Sequence, residues 1–250
     1  MKVDIKRAIA YPFKDPDSTK KIVIGGAFFL IMYIIDFAVG FILGAAAPKS
    51  LTAQETKMFV QGIQGVVNIF IGIPLSAIPL GYIIQSSHNE IHDNPGLPEW
   101  DSMFYDYFIK GLKYIAINGI YTTCIAILAV IAVISTGLAQ NKNLLFVFIP
   151  LIIIIFLLYS FISPFITSFY ADNFSFKEAF NLKAIFSSIS NVFSDYLIVT
   201  LVTIALWLIW LPINVILICT CIGAVVPAFL TFIIYLITVN LYAQLYKESK

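Results

Sequence analysis

Residues Gly81 to Trp100, GYIIQSSHNEIHDNPGLPEW, contain both histidines of the chain. On a helix, His88 and His92 share one face, which is the geometry of an H-x-x-x-H ligand pair. Glu90 sits two positions on from His88 and points roughly the other way, so it cannot complete the same site. Asp93-Asn94-Pro95-Gly96 then breaks the helix. A zinc site takes three or four protein ligands, and no third histidine exists. The stronger reading is electrostatic: histidines in a last helical turn meet freed carbonyls and the negative end of the macrodipole. His88 and His92 are thus the candidate metal ligands, and the expectation is that no metal and no cofactor binds.

Asp36 is the acidic residue set deepest in an apolar segment, fourteen positions past Ile22. At 1.5 Å per residue that is about 21 Å along a helix. A charge near the centre of a spanning helix costs about 2.5–3.5 kcal/mol on insertion scales, so Asp36 should face a partner, a cavity or water, or hold a proton. Gln61, Gln64 and Asn68 are the polar residues at similar depth in the next segment. Two readings stand: a proton or ion pathway, or an interhelical hydrogen bond near the outer interface. The segment that would face Asp36, QGIQGVVNIFIGIPLSAIPLGYII, carries Gly62, Gly65, Gly72, Pro74, Pro79 and Gly81. Such an irregular helix lines a substrate path or simply packs with a kink.

Other chemistry is sparse. Cys124, Cys219 and Cys221 are odd in number, lie in or beside apolar runs and lack C-x-x-C spacing, which fits small buried hydrophobes. The sequence has no G-x-S-x-G, P-loop or H-E-x-x-H pattern and no intramembrane paired aspartates, so no enzyme is expected. Glu90, Asp93, Glu99, Asp101 and Asp106 form an acidic stretch. It reads as a solvated face onto which Lys2, Lys6 and Arg7 could dock.

What must position these residues is a set of membrane helices. Hydrophobic residues make up 60% of the 250 and charged residues 12%, too few charges to cover a soluble domain. Six runs are long enough to cross a hydrocarbon core of about 30 Å: 22–44, 58–84, 112–136, 144–170, 196–219 and 222–242. The first ends in Ala45-Ala46-Ala47-Pro48, resembling a cleavage site, but it is too long for a signal-peptide core and reads as a retained span. The last turn falls near Thr220 or at Leu211–Asn214, where Pro212 interrupts the pattern and Trp207 and Trp210 would suit an interface. The whole chain reads as one integral membrane domain, 1–250, with 1–21 an interfacial segment.

Lys and Arg set the orientation. Twelve of the fifteen fall on the side of the two termini, and Lys49, Lys57 and Lys142 on the other. This places both termini in the cytoplasm and the chain in the cell membrane. On that side, Phe174–Leu197 carries Ala179, Leu182, Phe186, Ile189, Phe193 and Tyr196 at steps of three and four. Lys177, Asn181, Ser188 and Asn191 mark the opposite face, and a Ser175/Glu178 capping box marks the start. Glu99–Ile115 is similar in kind. The N-terminal MKVDIKRAIAYPF is a shorter candidate that should stop before Pro12. Pro79, Pro164 and Pro227 mark the return span of three hairpin units, a pattern that parallel repeats and ordinary membrane helices share.

The stretch YPFKDPDSTKKIVIGG, with Asp15, Pro16 and Asp17, precedes the first span. Gly81-Tyr82, Leu97-Pro98-Glu99-Trp100 and Gly111-Leu112-Lys113 follow in order. These residues resemble the pattern of an uncharacterised prokaryotic, largely archaeal membrane family, domain of unknown function 4013, and the likeness extends over most of the chain. Ser18 stands where the family pattern has tryptophan. The resemblance implies a membrane fold and carries no biochemistry.

The expectation is therefore an all-α polytopic bundle of six transmembrane helices, with amphipathic interfacial helices on the cytoplasmic side. Its distinctive motifs are cytoplasmic, which points to an accessory or organising protein acting through membrane lipids, a protein partner or a homo-oligomer. Asp36, the broken second span and the hairpin units point to the alternative, a transporter or channel for a small solute, ion or lipid. A net charge of +1 gives no reason to expect nucleic acid.

Overall fold

The computed structural model describes residues 3–46, 52–94, 96–100, 103–138, 143–218, 223 and 225–250. Helix starts follow local capping chemistry. The Asp4 carboxylate accepts the Arg7 N–H at 2.9 Å and opens α1 (Ile5–Ala10). The α-helix stops before Pro12, yet Tyr11 keeps helical geometry (φ −52°, ψ −48°) and a 3₁₀ turn over Tyr11–Phe13 carries Pro12. The first span is α2 (Ser18–Ala46). Thr52 and Glu55 then form a reciprocal capping box on α3 (Ala53–Val67).

The second span is irregular where its composition predicts. A π-turn at Asn68–Gly72 joins α3 to α4 (Ile73–Ile91), with Pro74 in the first turn of α4 and Pro79 inside it. The remaining helices are α5 (Phe104–Leu138), α6 (Asn143–Asn173), α7 (Leu182–Asn191), α8 (Phe193–Ile218) and α9 (Val225–Ser249). Six helical runs are long and apolar enough to cross a membrane, and no strand occurs among the described residues. The protein is an all-α, multi-pass membrane protein.

Several local expectations change, among them the burial of Cys124, which is exposed. The Ser175/Glu178 pair does not cap a helix: Glu178 opens a 3₁₀ turn, and α7 starts seven residues later than Ser175, at Leu182. Its cap is Asn181, whose side chain accepts the Ala184 N–H at 3.2 Å. Phe174, at φ 51°, turns the chain before the predicted helix could begin. The segment before the third span is not a separate interfacial helix, because α5 continues unbroken from Phe104 into the span. Pro212 lies inside α8 rather than at a turn. Thr220, like Cys219, Cys221 and Asp101, lies outside the described residues.

Packing is uneven. In α9, 56% of the most apolar window is buried, against 6–33% in the other five spans. Helices α4 and α5 meet backbone to backbone. A Cβ on Gly81 would overlap the Tyr107 carbonyl, and one on Gly111 would overlap that of Ala77. Small residues permit this approach. Gly25 and Gly26 of α2 take the rings of Phe232 and Phe229 of α9 in the same way. Buried residues concentrate toward the end carrying both termini. The far halves expose apolar side chains such as Phe37, Phe41, Phe70, Phe146 and Ile216, as lipid contact requires.

Candidate functional site

The residues with most chemistry converge at the terminus-bearing end. The Lys21 side chain, near the start of α2, is buried. Its ammonium lies 2.8 Å from Asp15 and 2.5 Å from Glu99 and donates to the Leu97 carbonyl at 2.9 Å. The Lys21 carbonyl in turn accepts the Trp100 indole N–H at 3.0 Å. Tyr82 stacks on Trp100 and donates to the Pro98 carbonyl at 2.9 Å. A single lock thus joins Asp15, Gly81-Tyr82 and Leu97-Pro98-Glu99-Trp100, while Pro16 borders a recess beside Arg7 and Glu90. Burial alone would raise the Asp15 carboxyl, but hydrogen bonds from Lys21 and the Asp17 backbone, with the Lys21 charge, hold it below the usual carboxylate range.

A second network ties α1 to the bundle. Glu90 is 3% exposed, so it is not part of a solvated acidic face. Arg7 pairs with it at 2.6 Å and Asn240 donates to it at 3.0 Å. Asn240 also accepts from Gln244 at 2.8 Å, and the Gln244 amide oxygen accepts the Asp4 N–H at 2.9 Å. Docking of the basic N-terminus is thus realised by Arg7. The other described acids of that stretch are paired as well: Asp93 with Lys247, Glu99 with Lys21 and Asp106 with Lys110. Tyr11 bonds the Ser86 hydroxyl at 2.9 Å and donates to the Gly96 carbonyl at 3.0 Å. Burial pushes its phenol up to about 12.

His88 and His92 do share a face, their ring centroids 4.3 Å apart. They meet freed carbonyls, though those of α6 rather than of their own helix. His88 Nδ1 lies 2.8 Å from the Ala171 carbonyl, and His92 Nε2 lies 3.0 Å from that of Asp172. A nitrogen of each ring is therefore engaged with a backbone acceptor. Asp172 is buried and bonds Tyr246 at 3.1 Å and Lys250 at 2.8 Å. Among the described residues no three His, Cys, Asp or Glu side chains are placed to hold one metal ion.

The intramembrane candidates separate. Gln64 donates to the backbone carbonyl of Asp36 at 3.2 Å, not to its carboxylate. Asn68 and Asp36 line one crevice of about 220 Å³ between α2 and the π-turn, and Gln61 lies outside it. A different cavity of about 150 Å³ lies among α4, α5, α6 and α9. Its polar lining is hydroxyls, including Ser87, Tyr114, Thr167, Thr238 and Tyr242. The Ser87 and Thr238 hydroxyls are buried without a protein partner, a setting that suits internal water. The two spaces share no lining residue. A third recess of about 410 Å³ opens at the terminus-bearing end beside Gln85, Asn89, Glu99, Asp106 and Lys110.

Sequence reasoning missed Lys21, Glu90, Asp172, Asn240 and Gln244 as a buried polar set. The available signal was Asn240 and Gln244 one turn apart in an apolar span. Residues 66–222 match the family described as "Protein of unknown function (DUF4013)". No curated protein and no solved structure matches the chain.

Proposed function

The chain belongs to that family, and on this premise we propose that it is an accessory or organising protein of the cell membrane, with both termini in the cytoplasm. In this reading it acts through lipids and through a protein partner or second copy, and it performs no catalysis. One observation supports it above the others: among the described residues the Asp36 crevice and the hydroxyl-lined cavity share no lining residue and are separate spaces. The terminus-bearing end is tied by two ion-paired networks, and the apolar flanks of the far halves are left for contact. The second reading, a transporter or channel for a small solute, ion or lipid, draws on Asp36 beside the π-turn.

Native purification followed by mass spectrometry of retained lipids and proteins tests the first reading against flux measurements in reconstituted vesicles. A defined lipid or protein retained in fixed ratio, with vesicles no leakier than protein-free ones, is the expected result. Saturable flux of a solute, ion or lipid with no fixed companion would replace this reading with the second.

A further inference from the structure

Asp36 lies fifteen residues beyond Lys21 on α2, or about 22 Å along the helix. Lys21 is fixed at the terminus-bearing end by Asp15 and Glu99. A hydrocarbon core is about 30 Å thick, so Asp36 falls in the far half of the apolar layer. It is exposed on the flank of the bundle. Among the described residues none donates a hydrogen bond to its carboxylate or pairs with it; the Gln64 amide goes to the Asp36 backbone instead. A carboxylate in this position needs a countercharge.

The surroundings are built to receive a small one. The crevice lined by Asp36 also holds the Asn68 carboxamide and the Ser76 hydroxyl, with Met32, Ile35 and Leu75 as apolar walls. Among the described residues, Asp36 is the only titratable one in that lining. Helix α9, which packs on α2 nearer the terminus-bearing end, brings Tyr235 against Phe29 and no charged group there. Ser76 donates its proton to the Ile73 carbonyl at 2.9 Å, which leaves its oxygen lone pairs free to accept. The backbone departs from α-helical pairing at the same place. The Ile73 N–H reaches back to the Asn68 carbonyl, and Pro74 has no N–H to give the preceding turn. Such π-turns recur at functional sites.

We propose that this crevice is a monovalent cation site, in which Asp36 takes Na⁺ from the flank of the bundle. Asn68 and Ser76 supply neutral oxygen ligands. One carboxylate among neutral oxygens matches a single positive charge, and hard cations favour oxygen donors. This site stands apart from the proposed organising role, since it concerns neutralisation of one side chain whatever the protein assembles with.

Dicyclohexylcarbodiimide, an apolar reagent that partitions into bilayers, tests it. The protonated carboxyl adds across one C=N bond: its oxygen bonds the central carbon and its proton passes to nitrogen. Acyl migration to nitrogen then leaves a stable N-acylurea carrying the whole reagent. The full-length protein is reconstituted in Na⁺-free vesicles, treated across a pH series, and mapped by peptide mass spectrometry. Label is expected at Asp36, suppressed when Na⁺ is added, and absent in Asp36→Asn, whose folding is checked by its elution and thermal midpoint. If Na⁺ but not K⁺ protects Asp36, and Asn68→Ala or Ser76→Ala abolishes that protection, the cation is Na⁺. Labelling that answers to pH alone and is untouched by Na⁺ overturns the site. No label at Asp36 at any pH without Na⁺, or label indifferent to both pH and Na⁺, overturns the proposal.

Discussion

Tyr82 lies flat on Trp100, with ring centroids 4.0 Å apart and planes within 7°. Tyr107 meets both rings edge-on, at 5.5 Å and 5.6 Å. This aromatic stack holds the loop after α4 against the starts of α2 and α5. Trp100→Ala should cost about 3–5 kcal/mol of stability through the cavity it leaves. Trp100→Phe keeps a ring but removes the N–H to Lys21, so it should cost less, about 1 kcal/mol beyond packing. Thermal denaturation in detergent followed by circular dichroism compares them; equal losses would mean that the ring itself contributes little.

The Lys21 lock gives stability a dependence on acid. The folded Asp15 carboxyl titrates below its unfolded value. Its contribution is therefore complete above the ordinary aspartate value of about 3.9 and fades as pH falls through the lower folded value. Lys21→Met removes the attraction that outweighs burial. The variant should be less stable near neutrality and lose less on acidification, as read from thermal midpoints between about pH 6 and pH 2. Parallel pH curves for the two proteins would count against the pairing.

At the alkaline end the sign reverses. Tyr11 is raised to about 12, so the neutral phenol is favoured in the fold. That contribution is present below the unfolded tyrosine value of about 10 and disappears as pH rises toward 12. Tyr11→Phe should flatten this part of the alkaline limb, while losing the bonds to Ser86 and Gly96. An unchanged slope above pH of about 10 would show that Tyr11 does not titrate late.

Helix α7 divides its apolar stripe between bundle and surroundings. Ile185 and Ile189 are buried, while Leu182, Phe186 and the following Phe193 are exposed. Ile185→Ala should cost about 2–5 kcal/mol. Phe186→Asp should leave the bundle folded in detergent yet weaken the hold of α7 on a bilayer. Spin labels at Phe186→Cys and Ser188→Cys, in a background lacking native cysteines, should report lipid-dissolved oxygen at the first and a water-soluble relaxant at the second. Identical accessibility at the two sites would remove α7 from the interface.

Cysteine substitutions for Lys2 and Lys250 test the proposed cytoplasmic location of the termini. Neither should react with an impermeant maleimide in sealed right-side-out cells, and both should react after permeabilisation. Reaction of either in intact cells would invert or break the topology.

The spans are legible because long apolar runs are a property of composition. The irregular second span was legible from Pro74, Pro79 and its glycines. Charge alone suggests Arg7 against the acidic stretch, but that its partner is Glu90, buried and bonded to Asn240, is not legible, because Arg7 and Glu90 are 83 residues apart and Asn240 and Glu90 are 150 apart. Lys21 could be counted as an interfacial charge, but nothing local showed that Glu99 and Leu97 would enclose it. The Ser175/Glu178 box misled for a related reason. Its spacing is correct for a cap, yet the left-handed Phe174 that precedes it and the packing of Phe176 and Phe180 turn the chain first. The shared face of His88 and His92 is legible from their spacing, while the helix supplying their carbonyls is known only from the fold.

The burial of α9 has a consequence for assembly during synthesis. It follows the other five spans in the chain, yet it supplies Phe232 to Gly25, Asn240 to Glu90, Gln244 to Asp4 and Tyr246 to Asp172. Until it emerges from the ribosome, the earlier helices must wait in the bilayer with a buried-to-be glutamate and a glycine-lined groove still open. The Lys21 lock and the close contact of α4 with α5 need no residue of α9, but the groove lined by Gly25, Gly26 and Glu90 stays open without it. That groove closes when its keystone arrives, and a chain interrupted before Asn240 would leave Glu90 with Arg7 alone and Asp172 without Lys250.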